Sequence, residues 1–249
     1  MKYERMNSLF NPHISVDIVV FGFEDNEGLK VLLISRDKDE DKKSDKLKLP
    51  GSLIILGERL HDSAQRVLLE LTGIKDIYLK QFTVFDNPER LKNGEDLQWL
   101  RDTSGTNVER VITIAYYSLV KLYHYSETEL SKAYNAGWYN LDSVPELIFD
   151  HNEILAEGLS TLRKEFLTEP LCFKLLPGKF TMNQLQHISE SILGFALDNR
   201  NFRKRINRLE YIVPLNEHQT GVSHKPARYY IFDNRKFEII NREHKGFII

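Results

Sequence analysis

Glu58, Arg66 and Glu70 are residues whose types and spacing could do chemistry together. They lie in the stretch from Leu49 to Ile74. Its pattern predicts a Pro-Gly turn, a short apolar strand, a Gly-Glu turn and an amphipathic helix that ends at Gly73. Mg²⁺ takes carboxylate, phosphate and water oxygens as ligands, and two carboxylates can bind it only weakly. The residues themselves therefore allow weak metal binding at this turn and helix.

The same stretch resembles the Nudix box, the loop–helix–loop unit that holds a divalent metal over a diphosphate in Nudix hydrolases. The residues that match are Glu58, Arg66, Leu68, Glu70, Gly73 and Ile74. Three positions depart from the box: Ser52 replaces its first Gly, and Val67 and Leu71 replace two of its carboxylates. A helix that presents hydrocarbon at Val67 and Leu71, one turn apart, lacks most of the metal ligands. We therefore predict a Nudix-like domain that is not an enzyme, with no catalytic residue, no metal and no cofactor.

Two alternatives to this interpretation remain open. Glu58 and Glu70 could still support an active Mg²⁺-dependent hydrolase of ADP-ribose or of a nucleoside diphosphate sugar. The match could also be coincidental, with Arg66 and Glu70 forming a solvated i,i+4 pair on a helix that has an ordinary core stripe. The stripe would then consist of Ala64, Val67, Leu68 and Leu71.

Composition places the chain among soluble globular proteins of one or two domains. It has 249 residues, of which 41% are hydrophobic and 28% charged, and no run of 18 apolar residues. The start, Met1 to Arg5, lacks the apolar core of a signal peptide. The single Cys172 excludes an intrachain disulfide and a cysteine-based zinc cluster, and between Leu171 and Phe173 it reads as a buried structural thiol. These features predict a cytoplasmic protein with no membrane partner.

The net charge of −2 conceals an asymmetry along the chain. Residues 171–249 hold 13 Lys and Arg against 7 Asp and Glu, so the first 170 residues hold the remaining 21 basic and 29 acidic residues. An acidic first part joined to a basic second part indicates a sensor attached to a module that meets a polyanion.

The first part alternates strands with helices. Strand patterns cover 14–23, 29–36, 77–85 and 108–120, a shorter strand begins near Ala136, and a helix follows Glu153 to about Phe166. The polar stretch 86–107 is longer than most connections and reads as either a lid or an insertion. Together these elements fit the α/β/α sandwich of Nudix domains. Because Thr168-Glu169-Pro170 breaks the pattern, we predict domains at 1–168 and 169–249.

The second part reads as a winged helix-turn-helix. Thr181 and Gln184 form a capping-box pattern before a helix that ends at Gly194. Asp198 can cap a second helix, which we expect to run to about Leu209, and strands at 211–215 and 228–232 flank a polar loop. The predicted fold class is therefore α/β (α+β), with a Nudix-like α/β/α sandwich followed by a winged helix-turn-helix domain.

The second of these helices carries basic and amide side chains outside its apolar stripe. Arg reads guanine, Asn reads adenine, and other cations neutralise phosphates, so such a helix is suited to the major groove. The alternative is that these side chains form an ordinary solvated face. The neighbouring capped helix and hairpin favour DNA binding over this alternative. The predicted DNA-binding residues are Arg200, Asn201, Arg203, Lys204, Asn207, Arg208, His218, Lys225 and Arg228.

The order of these parts resembles the Nudix-related transcriptional regulators, in which a Nudix-like domain binds a small effector and a C-terminal winged helix binds operator DNA. Runs that carry the resemblance are 149–151, 180–186, 201–205 and 226–230. The resemblance implies a pentose such as L-arabinose, or else ADP-ribose, as effector, and the box is more like that of the pentose-sensing members. It also implies a homodimer on an imperfect palindrome with half-sites about 34 Å apart or a multiple of that.

We expect the effector to occupy the former substrate cleft, because carboxylates with Arg and His donors suit a polyhydroxyl ligand. The predicted effector-binding residues are Arg36, Ser52, Glu58, Glu70, Asp150 and His151. Ordinary structural roles stay open, since Arg36 could pair with a surface acid and Asp150 could cap a helix. A metabolite-binding protein without DNA contact is a further alternative, and the sequence does not distinguish a repressor from an activator.

Overall fold

The computed structural model of the protein describes residues 9–244 except 26, 37–45, 123–124, 126–129, 131–133 and 224. It divides into two compact units, one formed by the chain up to Gly22 with Leu29–Leu159, the other by Phe23–Gly28 with the chain from Ser160 onward. The charged sequence from Asp37 to Lys48 predicts a solvated loop, and His224 belongs to the polar tip of the predicted hairpin. Residues 37–45 of this loop and His224 lie outside the described residues. The functional domain limits of 1–168 and 169–249 stay a prediction.

The first unit is built on a seven-stranded sheet in which β3, β2, β1, β6 and β5 lie in that order, β4 pairs with β1, and β7 pairs with β2. Its centre is apolar because β1 and β2 bury consecutive side chains, as strands covered on both faces do. The strands are β1 (Phe10–Glu24), β2 (Gly28–Ser35), β3 (Leu47–Lys48), β4 (Gly51–Ile55), β5 (Lys80–Phe85), β6 (Ile112–Lys121) and β7 (Gly137–Asn140).

Three helices begin in this unit: α1 (Leu60–Thr72), α2 (Gly94–Ser104) and α3 (His151–Thr168), of which the residues from Ser160 onward belong to the second unit. A short 3-10 turn covers Leu141–Ser143. The α1 helix buries Ala64, Val67 and Leu68 of the predicted stripe in the core, and Leu71, its fourth member, is partly buried against them. Gly73 ends the helix in the left-handed conformation at φ 79°.

The stretch 86–107, which we predicted to be a lid or an insertion, contains the helix α2. Asn93 accepts a hydrogen bond from the backbone N–H of Glu95 and so caps α2, and Gly105 ends the helix at φ 61°. The apolar Leu97 and Leu100 of α2 pack against Leu53 and its neighbours. Because only this narrow side of α2 is apolar, its helical period was weak in the sequence.

The second unit contains the predicted helix pair and hairpin. Its elements are α4 (Cys172–Leu175), β8 (Phe180–Thr181), α5 (Met182–Leu193), α6 (Asn199–Ile206), β9 (Ile212–His218), β10 (Arg228–Phe232) and α7 (Asn234–His244). The predicted capping box is present at Thr181 and Gln184, and Asp198 caps α6 as expected.

Three details of this unit differ from the prediction. The α6 helix ends at Ile206 rather than near Leu209, because Leu209 N–H bonds back to the carbonyl of Ile206 in a tight turn. The two-residue β8 pairs with β10 and makes the wing sheet three-stranded, and α7 follows the wing. Within the part of the chain that is described, no helix combines the length and the apolarity needed to cross a bilayer.

Candidate functional site

A cavity of about 590 Å³ lies in the first unit, among β1, β4, α1, α2 and the start of α3. Its wall is part apolar and part charged. The apolar part comes from side chains that also belong to one hydrophobic cluster, namely Phe10, Leu53, Leu91, Leu100 and Val111. The charged part consists of Asp17, Arg36, Lys48, Arg66, Glu70 and Arg90, with His151 beside them.

The Glu58 carboxylate is occupied by protein donors. Arg66 donates to it from Nε at 2.7 Å and from its terminal nitrogen at 2.9 Å, and both Ser63 Oγ and the backbone N–H of Ile55 also donate. The hydrogen bonds from Arg66 are the largest cause that lowers the pKa of Glu58, which falls to about 2. Glu58 thus stays ionised and is held by the protein itself.

The cavity-facing side of α1 presents Val67, Glu70 and Leu71. Val67 is fully buried, whereas the Glu70 side chain is 58% exposed and pairs with Arg66 at 3.1 Å. No group of three or more His, Cys, Asp or Glu side chains suited to a metal occurs among the described residues. A single exposed carboxylate between two apolar side chains does not fit the near-octahedral oxygen shell that Mg²⁺ requires.

A network of buried charges connects the cavity floor to the start of α3. The Arg90 guanidinium donates two hydrogen bonds to Asp150, at 2.8 and 2.9 Å, and lies 3.6 Å from Asp17. Asp17 accepts a 2.5 Å hydrogen bond from Thr113 and lies 3.5 Å from His151 Nε2. Since these groups are buried, their mutual pairing is what makes their charges tolerable.

His151 is a neutral imidazole at physiological pH. Its Nδ1 accepts a 2.9 Å hydrogen bond from the backbone N–H of Leu49, so the ring proton belongs on Nε2, which faces Asp17. Burial lowers the pKa of His151 to about 4, and the charge of Lys48 contributes in the same direction. The ring therefore joins the Leu49–Gly51 turn to the Asp17 carboxylate.

Gly51 in this turn has no space for a side chain. A Cβ at this position would lie 1.7 Å from Asp17 Oδ1 and 3.0 Å from the carbonyl of Val16. The turn can therefore approach β1 only with glycine here, and that approach places Asp17 against the box.

Four of the predicted effector residues line the cavity and two lie behind it. Arg36, Ser52, Glu70 and His151 contribute to the wall. Glu58 and Asp150 instead hold Arg66 and Arg90, two of the three arginines that line the cavity. The assignment of all six to effector binding stays a prediction.

Sequence reasoning did not single out Asp17, Lys48, Arg90 or Trp99, which also line the cavity. Trp99 of α2 lies beside two cations, with Arg36 Cζ at 5.9 Å and Lys48 Nζ at 5.6 Å from its ring centroid. Asp17 carried one available signal, because it is a charged residue in the middle of an otherwise apolar strand pattern. The other three lie on separate segments that only the fold brings together.

The nine predicted DNA-binding residues are all exposed in the second unit. Phe202 and Ile206 are buried and fix the inner side of α6, so its basic side chains face outward. His218 ends β9 and Arg228 begins β10, while Lys225 lies in the loop between these strands. The structure thus presents a basic helix next to a wing.

Arg203 is held more firmly than an ordinary surface side chain. Its Nε donates to Asn199 Oδ1 and its terminal nitrogen to Asn183 Oδ1, both at 2.6 Å. The bond to Asn183 joins α6 to the first turn of α5, whereas the bond to Asn199 lies within α6. Arg228 is similarly fixed in the wing, where it donates to the carbonyl of Leu215 at 2.6 Å.

The fold defines a class of protein, the Nudix-like domain followed by a winged helix-turn-helix domain, and this confirms the predicted fold class. A sequence model described as the NrtR DNA-binding winged helix domain matches residues 172–232. The ADPR responsive transcriptional repressor NtrR of Acinetobacter baylyi is 30% identical over 227 residues, which cover 89% of this chain and 82% of that relative. The chain belongs to the NrtR family and is a DNA-binding transcriptional regulator.

Solved structures support the fold. NrtR of Shewanella oneidensis in complex with a 27mer DNA is similar with a TM-score of 0.65 at 23% identity, covering 90% of this chain and 95% of that one. A MutT/nudix family protein of Enterococcus faecalis is similar with a TM-score of 0.63 at 21% identity, covering 89% and 86%. Both likenesses extend over the Nudix-like and winged-helix parts together.

Proposed function

We propose that this protein is a transcriptional repressor whose affinity for operator DNA is changed by ADP-ribose bound in the cavity of its first unit. The name of the Acinetobacter relative supports ADP-ribose, which the sequence analysis placed second to a pentose. The preference for a pentose receives no support from the relatives.

The cavity wall is the observation that carries the choice of effector. Four basic side chains, Arg36, Lys48, Arg66 and Arg90, line it with only two acidic ones, Asp17 and Glu70. Such a wall suits a diphosphate, which Arg and Lys bind through charge-assisted hydrogen bonds. A neutral pentose has no group that uses this charge. The apolar wall and Trp99 offer a surface for a nucleoside base, and about 590 Å³ lies within the usual range of small-molecule sites.

The DNA interface in this proposal is the outer face of α6 together with the wing. The side chains of Arg200, Lys204 and Arg208 are exposed and are not buried in the fold. This exposure is expected of residues that contact phosphates or bases. Two copies of the chain would bind a palindromic operator as a homodimer.

The proposal includes the absence of hydrolysis. Val67 and Leu71 supply hydrocarbon where metal ligands are needed, and Glu58 already accepts hydrogen bonds from Arg66, Ser63 and Ile55. We expect no Mg²⁺-dependent release of AMP from ADP-ribose. Turnover that Glu70→Gln abolishes would favour the hydrolase alternative.

One titration tests the proposal. Duplexes that the purified full-length chain selects from a random pool serve as the operator, and ADP-ribose or L-arabinose is added to the protein–DNA complex. ADP-ribose should change the DNA affinity by about fivefold or more, the lower end of common allosteric couplings, and L-arabinose should not. An effect of L-arabinose alone, or of neither compound, would contradict it.

A further inference from the structure

Lys48 is a buried cation on the cavity wall, one of the four basic side chains that line it. Lys48 is only 5% exposed to solvent and lies at the end of β3, immediately before the Leu49–Gly51 turn. An ammonium group has three N–H donors. One of them donates to the carbonyl of Gly51 at 2.7 Å, which fixes the side chain in place.

The surroundings of Lys48 hold its position but only partly compensate its charge. Asp17 on β1 favours the ammonium form, whereas burial opposes it more strongly, so the pKa of Lys48 falls to about 8. His151 on α3 is neutral, and Asp17 also faces Arg90 at 3.6 Å. Across the cavity, the Trp99 ring lies 5.6 Å from Nζ, with Arg36 near the same ring. An additional anion at this place would stabilise the ammonium.

We propose that Lys48 binds the phosphate oxygens of the effector, a role that rests on the proposed function of the cavity. The diphosphate would accept hydrogen bonds from the ammonium group, while Gly51 keeps Nζ aimed along the wall. Lys48 would thus distinguish a phosphorylated ligand from a free sugar, because a neutral pentose offers no charge to offset the desolvated ammonium.

Lys46 provides a matched control, since it lies two residues earlier and is also a lysine. Its side chain is 40% exposed and pairs with Glu95 at 2.7 Å, and it does not line the cavity. The experiment measures binding of ADP-ribose and of adenosine, a phosphate-free probe, to full-length wild type, Lys48→Gln, Lys48→Arg and Lys46→Gln by calorimetry. Thermal melts establish that each variant is folded.

Lys48→Gln should lose about tenfold or more of its affinity for ADP-ribose, the effect of one charge-assisted hydrogen bond, and Lys46→Gln should not. Adenosine affinity should be the same for all four proteins. Equal ADP-ribose affinity in wild type and Lys48→Gln would overturn the role of Lys48, and so would an equal loss for adenosine.

The dependence on pH gives a second readout that a purely structural lysine would not show. The protonated form binds the anion, so the wild-type affinity for ADP-ribose should be highest below a pH of about 8 and fall above it. Lys48→Arg should bind ADP-ribose without this fall, because arginine stays charged. The same fall in Lys48→Arg as in wild type would overturn the assignment. Failure of wild type to bind ADP-ribose at any pH would instead overturn the proposed function.

Discussion

The Arg90 guanidinium and the Asp150 carboxylate form a two-bond pair that is almost entirely buried, with side-chain exposures of 4% and 8%. The pair connects the loop before α2 to the residue immediately before α3. Removing one partner of such a pair leaves a buried charge without its counter-charge.

Asp150→Ala should therefore lower the free energy of unfolding by about 3 kcal/mol. Urea unfolding at neutral pH, followed by circular dichroism and by fluorescence, measures the change. Glu89→Ala is the control, because Glu89 pairs with Lys92 on the surface and should cost less than about 1 kcal/mol. Equal effects of the two substitutions would contradict the structural role of the Arg90–Asp150 pair.

The Glu58–Arg66 pair should make stability depend on pH in the acid range. The pKa of Glu58 in the folded protein is about 2, below its ordinary value of 4.5, so the stabilisation is complete above about 4.5 and is lost as the pH falls towards 2. The urea midpoint should decrease over this window. Glu58→Gln should flatten the decrease, and an unchanged profile in that variant would show that other carboxylates determine it.

Individual basic side chains on the outer face of α6 should each contribute to DNA binding. Lys204→Ala should weaken binding to the selected duplex by about 1 kcal/mol or more and reduce the salt dependence by about one phosphate contact. Fluorescence anisotropy over a salt series measures both quantities. Lys92→Ala, which removes a lysine far from α6 in sequence, should leave both unchanged. If Lys204→Ala reduced the DNA affinity no more than this control, Lys204 would not contact the DNA.

Arg203 should behave differently from Lys204 because it bonds to Asn183 and Asn199. Arg203→Ala should weaken DNA binding by at least about 1 kcal/mol and also lower the melting temperature, since the α5–α6 link is lost. Arg203→Lys should restore the charge but not both hydrogen bonds to the side-chain oxygens of Asn183 and Asn199. A melting temperature equal to that of Lys204→Ala would argue against the link.

The architecture could be predicted where the sequence carries a local signal. The α1 stripe, the capping box at Thr181 and the Asp198 cap each depend on neighbouring residues, and all three are present in the structure. The α2 helix was missed because only a narrow side of it, with Leu97 and Leu100, packs against the core, so its helical period in the sequence is weak.

The site was predicted less completely for a similar reason. Arg36, Ser52, Glu70 and His151 could be inferred from the box and the strand ends, and they do line one cavity. Lys48 ends the two-residue β3, Arg90 and Trp99 lie in the stretch 86–107, and each has an unremarkable sequence context. Their importance arises from burial beside a shared space, which no spacing rule encodes.

Val67 occupies a fully enclosed position among core side chains of α1 and the sheet. A glutamate at this position would replace core contacts with a charge at the edge of the cavity, so it would cost packing before it could supply a metal ligand. A laboratory attempt to build a metal-dependent hydrolase on this scaffold should therefore begin by loosening the packing around residue 67.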